Sequence, residues 1–249
     1  MRRRHFLAGT AGAGLAVAQL PHAALAAQDS GTIHGSEDPK SHASKLTPPA
    51  KGKMPVAFVI SKYVTVIDFC GPWEVFGDVH VPERGSTMDE MMPFELYTVS
   101  GSTEPVRASG GLTIVPDFTF ETAPEPKVVV VPAQGGAGEP ALAWLRKTSG
   151  TADVTMSVCT GAFVLGRAGL LDGRSATTHH DYLDKLAETF PKVDVKRGLR
   201  FVEGDRISTA GGLTSGIDLA LRVVDRYFGR KVAARTAEYM EYQSTGWML

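Results

Sequence analysis

Short apolar runs alternate with stretches of helical periodicity from Met54 towards the end of the chain. Val56–Ile60 and Val128–Val131 contain only apolar residues, which is typical of strands covered on both faces. Further strands are predicted at 94–100 and 153–158, and hairpins at 106–115 and 200–209. Helices are predicted from Gly71 onward and at 139–147, 161–168, 181–190, 215–227 and 231–242. This alternation indicates βαβ units, and therefore an α/β three-layer sandwich with a mainly parallel sheet.

The first 26 residues have the three-part layout of an export signal. Arg2–Leu7 is a basic stretch with the spacing of a twin-arginine signal, Ala8–Leu20 is apolar and rich in glycine, and Ala24–Ala26 offers small residues for cleavage. We therefore expect export by the twin-arginine pathway, a periplasmic or otherwise exported mature protein, and no stable membrane anchor after cleavage. An uncleaved anchor is the alternative, but the apolar run is short for a span.

Residues 27–52 differ in composition from the regions on either side. Ile33 and Leu46 are their only large apolar residues, and polar residues, glycine and proline fill the rest. Such a segment buries too little apolar surface to offset its ordering entropy, so we predict a disordered linker. Its two histidines, His34 and His42, have a spacing that fits no defined metal site. A single α/β domain is predicted over 53–249.

Composition and charge narrow the possible partners. The chain has 249 residues, is 43% hydrophobic and 21% charged, and carries a formal net charge of -1. This composition is that of a globular protein. Loss of 1–26 would remove three arginines and no acid, which disfavours a nucleic-acid partner further. Two cysteines exclude a disulfide scaffold, and no metal or cofactor motif is visible, so neither a metal nor a cofactor is predicted.

Cys159 carries the strongest catalytic signal. An apolar strand runs into this cysteine, and Thr160, Gly161 and Ala162 begin a helix at once. That layout is typical of a nucleophile elbow, in which a sharp turn with small neighbours lifts the side chain clear of the sheet. Free N–H groups at the helix start favour thiolate over thiol, so we expect an ionised nucleophile. A buried structural cysteine is the alternative.

Two other strand ends supply groups of possible use to Cys159. The turn at Gly135 and Gly136 follows the strand 128–131, and its N–H groups are candidates for an oxyanion-type hole. A phosphate loop is disfavoured there, since no Lys-Ser/Thr pair follows. Asp68 follows an apolar stretch near the first strand, where it is either a catalytic acid or a helix N-cap.

His179 and His180 are the only adjacent histidines in the chain. They follow a predicted strand end, so His179 is a candidate pocket residue, with structural hydrogen bonding as the alternative. Metal binding by the pair is disfavoured because adjacent residues in a strand point to opposite faces. Cys70 lies two residues from Asp68 and either approaches Cys159 to form a disulfide or is a small packed side chain.

Taken together, six segments resemble the ThiJ/PfpI superfamily, which has the class I glutamine amidotransferase-like fold, a flavodoxin-like arrangement. They are Asp68–Phe76, Gly135–Gly136, Ser157–Ala162, Ala168–Arg174, Ala176–His179 and Thr209–Asp218. The resemblance spans about residues 54–242. It is closest to the isonitrile hydratase branch and to the sensing domain of AraC-type regulators.

The resemblance to the hydratase branch implies a Cys-dependent lyase. In that pattern an aspartate faces the elbow cysteine and a threonine follows it, which are the positions of Asp68, Cys159 and Thr160. The implied reaction hydrates an isonitrile to an N-substituted formamide through a Cys thioimidate, with Gly135, Gly136 and His179 as substrate-binding or oxyanion residues. Thr160 and Asp68 differ from the His and Glu of peptidase- and glyoxalase-type members, and 209–218 lacks the His of glutaminases.

The resemblance to AraC-type regulators implies a different function. Those proteins carry a DNA-binding domain after this fold, whereas the present chain ends at Leu249, soon after its last predicted helix. The alternative to the hydratase is therefore a non-catalytic periplasmic protein that binds a small molecule or responds to stress. A small-molecule substrate and a homodimer are expected from the resemblance, and nucleic acid is not.

Overall fold

The computed structural model describes residues 43–248. The predicted signal peptide at 1–26, the linker part 27–42, and His34 and His42 lie outside the described residues. Between residues 43 and 248, no helix combines the length and apolar character that a membrane crossing requires.

A seven-stranded sheet forms the centre of the domain, with the strand order β10-β11-β7-β6-β1-β2-β5. Its strands are β1 (Met54–Val59), β2 (Phe94–Ser100), β5 (Phe118–Thr119), β6 (Val128–Val131), β7 (Val154–Val158), β10 (Phe201–Val202) and β11 (Ile207–Ala210). All pairs are parallel except β10 with β11. Two small separate ladders consist of β3 (Val106–Arg107) with β4 (Thr113–Ile114), and β8 (Ser175–Ala176) with β9 (Asp194–Val195).

The five central parallel strands follow the flavodoxin-like order. Strand β2 lies on one side of β1, and the chain then crosses to β6, β7 and β11 on the other side. The strand order therefore reverses at β1 and β6, and the crevice at their carboxyl ends is where such sheets bind ligands. The predicted mainly parallel α/β sheet is confirmed, as are both predicted hairpins.

Helices cover both faces of the sheet. They are α1 (Val66–Gly77), α2 (Met88–Met91), α3 (Glu139–Thr148), α4 (Gly161–Arg167), α5 (Leu183–Thr189), α6 (Ser215–Phe228) and α7 (Arg230–Tyr239). One apolar core contains residues of α1, α6 and α7 beside Val56 and Phe58. A second core contains residues of α3, α4 and α5 beside Ala57 and Val59. Since alternate β1 residues enter different cores, the sheet is the middle of three layers, as predicted.

Helix α1 begins earlier than the sequence predicts. The sequence predicts its start at Gly71–Pro72, because proline is favoured in a first turn, but the helix begins at Val66 and encloses Pro72. Proline lacks an N–H group, so it donates no helical hydrogen bond to the carbonyl of Asp68. Asp68 consequently lies in the first turn of α1 and not in a loop, and it is fully buried there.

The linker prediction is wrong for residues 43–52, which lie against the domain. Leu46 donates its N–H to the carbonyl of Arg226 at 2.9 Å, and Arg226 donates to the carbonyl of Ser44 at 3.0 Å. Ser44 also donates to Asp205, and Arg84 donates to the carbonyl of Pro49 at 2.7 Å. Arginine side chains of the domain thus bind backbone carbonyl groups of the segment. The number of apolar residues in the segment, on which the linker prediction depends, gives no information about such hydrogen bonds.

Candidate active site around Cys159

Cys159 lies on a tight turn between strand β7 and helix α4. Its backbone has φ 58, a left-handed conformation that is uncommon for residues other than glycine. Its N–H donates to the carbonyl of Gly211 at 2.8 Å, which ties the turn to the end of β11. A Cβ at Gly161 would lie 2.0 Å from the carbonyl oxygen of Val131, so α4 can start there only with glycine. The turn has the predicted strand–turn–helix layout of a nucleophile elbow.

The sulfur of Cys159 is a thiol at neutral pH, in contrast to the predicted thiolate. Burial and the nearby Asp68 carboxyl raise the pKa of Cys159 to about 11. The N–H groups of Thr160 and Leu213 hydrogen-bond to the sulfur and lower its pKa, but their effect is smaller. The helix start alone favours a thiolate. The cost of burying the side chain, which is 8% exposed, and the repulsion from the Asp68 carboxylate outweigh this effect.

Asp68 is fully buried in the first turn of α1 and interacts with the Cys159 thiol. Its Oδ2 accepts a hydrogen bond from the N–H of Ala133 at 3.1 Å, whereas Oδ1 has no hydrogen-bond partner among residues 43–248. Burial raises the pKa of Asp68 to about 7, against the smaller lowering effects of the Ala133 N–H and the Cys159 thiol. At neutral pH this carboxyl therefore can both accept and donate a proton beside the sulfur.

Thr160 is the N-cap residue of α4 and is partly exposed. Its side chain makes no capping hydrogen bond, although threonine at this position often does. Within the described part of the chain, the Thr160 hydroxyl is thus not used to cap α4.

The predicted oxyanion role of Gly135 and Gly136 is wrong, since both N–H groups have partners within the protein. Gly135 donates to the carbonyl of Lys62 at 2.9 Å, and Gly136 donates to the hydroxyl of Ser61 at 3.2 Å. The two donors therefore hold the loop after β6 against the loop after β1. Within residues 43–248, no partner accepts from the N–H of Gln134, which directly follows Ala133.

His179 contacts the loop that carries Leu213. A Cβ at Gly212 would lie 2.7 Å from Cδ2 of His179, so the ring packs directly on this glycine. The expectation that His179 and His180 point to opposite faces is wrong, because their rings stack with centroids 4.3 Å apart. The chain has left its strand at this point, and His180 begins a 3-10 turn over His180–Tyr182.

Three residues that contact the Asp68–Cys159 pair were not predicted. Ala133 and Leu213 act through backbone N–H groups, which no side-chain pattern reveals. Leu213 has φ 48, and the preceding Gly211–Gly212 pair is the only sequence signal of a tight loop. Thr178 donates from its hydroxyl to the carbonyl of Cys159 at 2.8 Å.

Cys70 and Cys159 are both free thiols. Cys70 is half-buried on α1, and burial together with the charge of Glu74 raises its pKa. Since both cysteines are free, the possible disulfide between Cys70 and Cys159 is not formed. Cys159 therefore keeps the thiol group that a nucleophile requires.

Comparison with known proteins finds both an enzyme and a transcriptional regulator among the relatives of this chain. Isonitrile hydratase of Pseudomonas putida is 34% identical over 192 residues, which cover 75% of this chain and 78% of that protein. The HTH-type transcriptional regulator CdhR of Pseudomonas aeruginosa is 34% identical over 149 residues, which cover 58% of this chain and 44% of the regulator. The chain thus spans most of the enzyme but less than half of the regulator.

A solved structure agrees with the sequence relatives. A ThiJ/PfpI family protein from Pseudomonas syringae matches 89% of this chain and 84% of its own, with TM-score 0.67 and 28% identity. DJ-1beta of Drosophila melanogaster shares the fold with TM-score 0.65 at 15% identity. The model of the DJ-1/PfpI family matches residues 54–226, from the start of β1 to the last turns of α6. This chain therefore belongs to the DJ-1/PfpI family.

Proposed function

We propose that this protein is a cysteine-dependent hydratase that converts an isonitrile, R–N≡C, into the N-substituted formamide, R–NH–CHO. The observation that carries the proposal is the buried pair of Asp68 and Cys159, in which the carboxyl has a pKa of about 7. The similarity to isonitrile hydratase over 75% of the chain supports the choice of substrate class.

The first half of the reaction forms a covalent intermediate. As the Cys159 sulfur attacks the terminal isonitrile carbon, the thiol proton passes to the Asp68 carboxylate. Asp68 then returns this proton to the same carbon, which gives the thioimidate R–N=CH–S–Cys159. Because the thiol proton moves to Asp68 as the sulfur attacks, no thiolate has to exist beside a charged carboxylate. The proton ends on the substrate carbon, which leaves Asp68 ionised for the second half of the reaction.

The second half consumes one water. Asp68 accepts a proton from water as the oxygen attacks the thioimidate carbon, and the proton is then delivered to nitrogen. The C–S bond breaks, the hydroxyl proton returns to sulfur through Asp68, and the formamide leaves. We assign the unpaired N–H of Gln134 and the hydroxyl of Thr160 to the positioning of substrate and water.

The burial of Cys159 favours a substrate whose electrophilic end is narrow. Cys159 is only 8% exposed, so the reactive end of the substrate has to be slim. An isonitrile presents a terminal carbon on a linear, uncharged group, and this end can approach a buried sulfur without bringing a charge into a poorly solvated site.

The proposal is tested by formamide production from cyclohexyl isocyanide. The parent and a Cys70→Ala control are expected to form N-cyclohexylformamide at similar rates, and Cys159→Ser to be slower by at least about 10³-fold. A Cys159→Ser variant as fast as the parent would contradict the mechanism.

Binding without turnover is the second candidate, favoured by the similarity to CdhR. Here the parent would bind isonitriles or other small molecules saturably by calorimetry and form no formamide above the buffer rate. Such a result would replace the hydratase by a ligand-binding protein.

We also propose that the protein acts outside the cytoplasm, on the basis of the twin-arginine pattern at Arg2–Leu7. The full chain should appear in the periplasmic fraction, and a variant with Lys at positions 2, 3 and 4 should remain in the cytoplasm. Equal distribution of both proteins would overturn this proposal.

A further inference from the structure

A cluster of three potential metal ligands lies at the start of the turn that leads into α5. Nε2 of His180 and Oδ1 of Asp181 are 3.1 Å apart, and Nδ1 of His179 is 3.7 Å from Oδ2 of Asp181. One ligand atom from each of the three side chains lies within 4.8 Å of the other two. The stacked imidazoles and the carboxylate thus converge on one side of the chain.

We propose that His179, His180 and Asp181 bind a divalent transition-metal ion, with Zn²⁺ as the best fit. Two imidazole nitrogens and one carboxylate oxygen form a borderline-soft donor set that suits Zn²⁺, whereas Mg²⁺ and Ca²⁺ prefer oxygen alone. Ligands about 2.0–2.2 Å from a tetrahedral zinc ion are themselves ~3.3–3.6 Å apart. The two His–Asp separations of 3.7 Å and 3.1 Å are close to this range, and the set of ligand atoms, which lie within 4.8 Å of one another, has to contract slightly around the ion. Three protein ligands leave the fourth position to water or another small ligand.

The side chains have the freedom to complete this geometry. His180 and Asp181 are 79% and 67% exposed, so small rotations toward a metal break no buried contact. His179 is 17% exposed and is held against Gly212, which gives the site one fixed ligand. A weak hydrogen bond from the Asp181 N–H to Nδ1 of His179, at 3.3 Å, would be exchanged for the metal bond.

The position of the cluster places the metal next to the candidate active site. Thr178, directly before the cluster, holds the carbonyl of Cys159. His179 contacts Gly212, whose neighbour Leu213 donates its N–H to the sulfur. The metal would therefore sit beside the loop that sets the environment of Cys159, without requiring Cys159 as a ligand.

Zinc titration of the tag-free protein by calorimetry tests the proposal independently of any hydratase activity. Three proteins are compared: the parent, His180→Ala and Glu188→Gln. His180 is 79% exposed, so its removal costs only a surface contact with the His179 ring and leaves the buried core intact. Glu188 is an exposed acid on α5 whose loss changes charge but removes no ligand of the cluster. Both thiols and the histidines outside the described residues are present in all three proteins.

The parent and Glu188→Gln are expected to bind one Zn²⁺ with equal affinity, and His180→Ala to bind at least ~10-fold more weakly. Thermal unfolding without zinc should be the same for all three. The proposal is overturned if the parent shows no saturable binding, or if His180→Ala binds zinc as tightly as the parent.

Discussion

At the scale of single residues, Asp68 and Cys159 control each other's proton. The carboxylate raises the pKa of the thiol, and the thiol lowers the pKa of the carboxyl slightly, while burial raises both. A buried Asp with a pKa of about 7 is ready for proton transfer at neutral pH, whereas a thiol with a pKa of about 11 is not reactive alone. The proposed mechanism therefore requires both residues.

Asp68→Asn should separate thiol reactivity from turnover. Loss of the carboxylate removes two of the effects that raise the pKa of Cys159, so its thiolate fraction at pH 8 rises. Each unit by which the pKa falls should speed alkylation by iodoacetamide ~3-fold, because the gain in thiolate exceeds the loss of nucleophilicity. Isonitrile hydration should instead fall by about 10²–10⁴-fold.

Both rates are measured in a Cys70→Ala background, so that Cys159 is the only thiol that reports. Slower alkylation of Asp68→Asn than of its Cys70→Ala parent would show that the carboxylate does not suppress the thiolate.

The pH dependence of kcat/KM should report the ionisation of Asp68. The thiol proton needs a carboxylate acceptor, so activity is expected to be low at pH 5 and to rise through an apparent pKa near 7. The profile is measured by formamide formation between pH 5 and 9. A flat profile over this range, which an aspartate with its ordinary pKa near 4 would give, would disagree with the assignment of Asp68 as the proton acceptor.

At the scale of elements, the start of α4 brings the pair together. Gly161 lets the first turn of α4 approach the end of β6 so closely that the carbonyl of Val131 occupies the space of a side chain. The residues after β6 include Ala133, whose N–H holds Asp68. The contact of α4 with β6 therefore fixes the position of Cys159 relative to the Asp68 carboxylate.

Gly161→Ala is expected to destabilise the domain by about 2–3 kcal/mol or more, since the new Cβ meets backbone that cannot rotate away. Hydration should fall with it, because relief of the clash moves Cys159 from Asp68. Gly77→Ala is the control, as its Cβ would make an ordinary 3.6 Å contact with Leu96. Denaturant unfolding measures both. Equal stability of the two variants would contradict the close packing at Gly161.

The sequence predicted the strands and helices well because apolar runs report burial directly. It also predicted that Cys159 and Thr160 lie at the junction of β7 and α4. The catalytic role of Asp68 stays a prediction. The prediction failed where backbone hydrogen bonds determine the role of a residue. The N–H groups of Gly135 and Gly136 donate to the carbonyl of Lys62 and the hydroxyl of Ser61. The sequence also did not predict the start of α1 or the orientation of His179 and His180. Local propensity does not show at which residue a helix or strand begins or ends.

At the scale of the whole molecule, the site lies in the crevice where the strand order reverses. Asp68 follows β1, Ala133 follows β6 and Cys159 follows β7, so residues from three adjacent strand ends meet at one edge. A buried carboxyl at this position costs stability when it is charged, and the fold tolerates it because two extensive cores lie on either side of the sheet.

The stability of the protein should consequently fall between pH 4 and pH 8 through Asp68. Its pKa is 3.8 in the reference state and about 7 in the folded protein, so the folded state binds more protons in this range. The stabilisation is complete below pH 3.8 and is lost as pH rises through 7, by up to about 4 kcal/mol.

Asp68→Asn should therefore gain stability relative to the parent as pH rises, whereas the exposed Asp89→Asn should not. Urea unfolding at pH 4 and pH 8 measures the difference. Parallel pH dependences for Asp68→Asn and the parent would refute a raised pKa of Asp68.

Acid-quenched peptide mass spectrometry during turnover of cyclohexyl isocyanide shows whether Cys159 attacks the isonitrile carbon with Asp68 as its proton partner. We expect a mass increase of one isonitrile on the peptide that contains Cys159, and none on the peptide that contains Cys70. Formamide production accompanied by an adduct on another residue, with Cys159 unmodified at every time point, would contradict this mechanism.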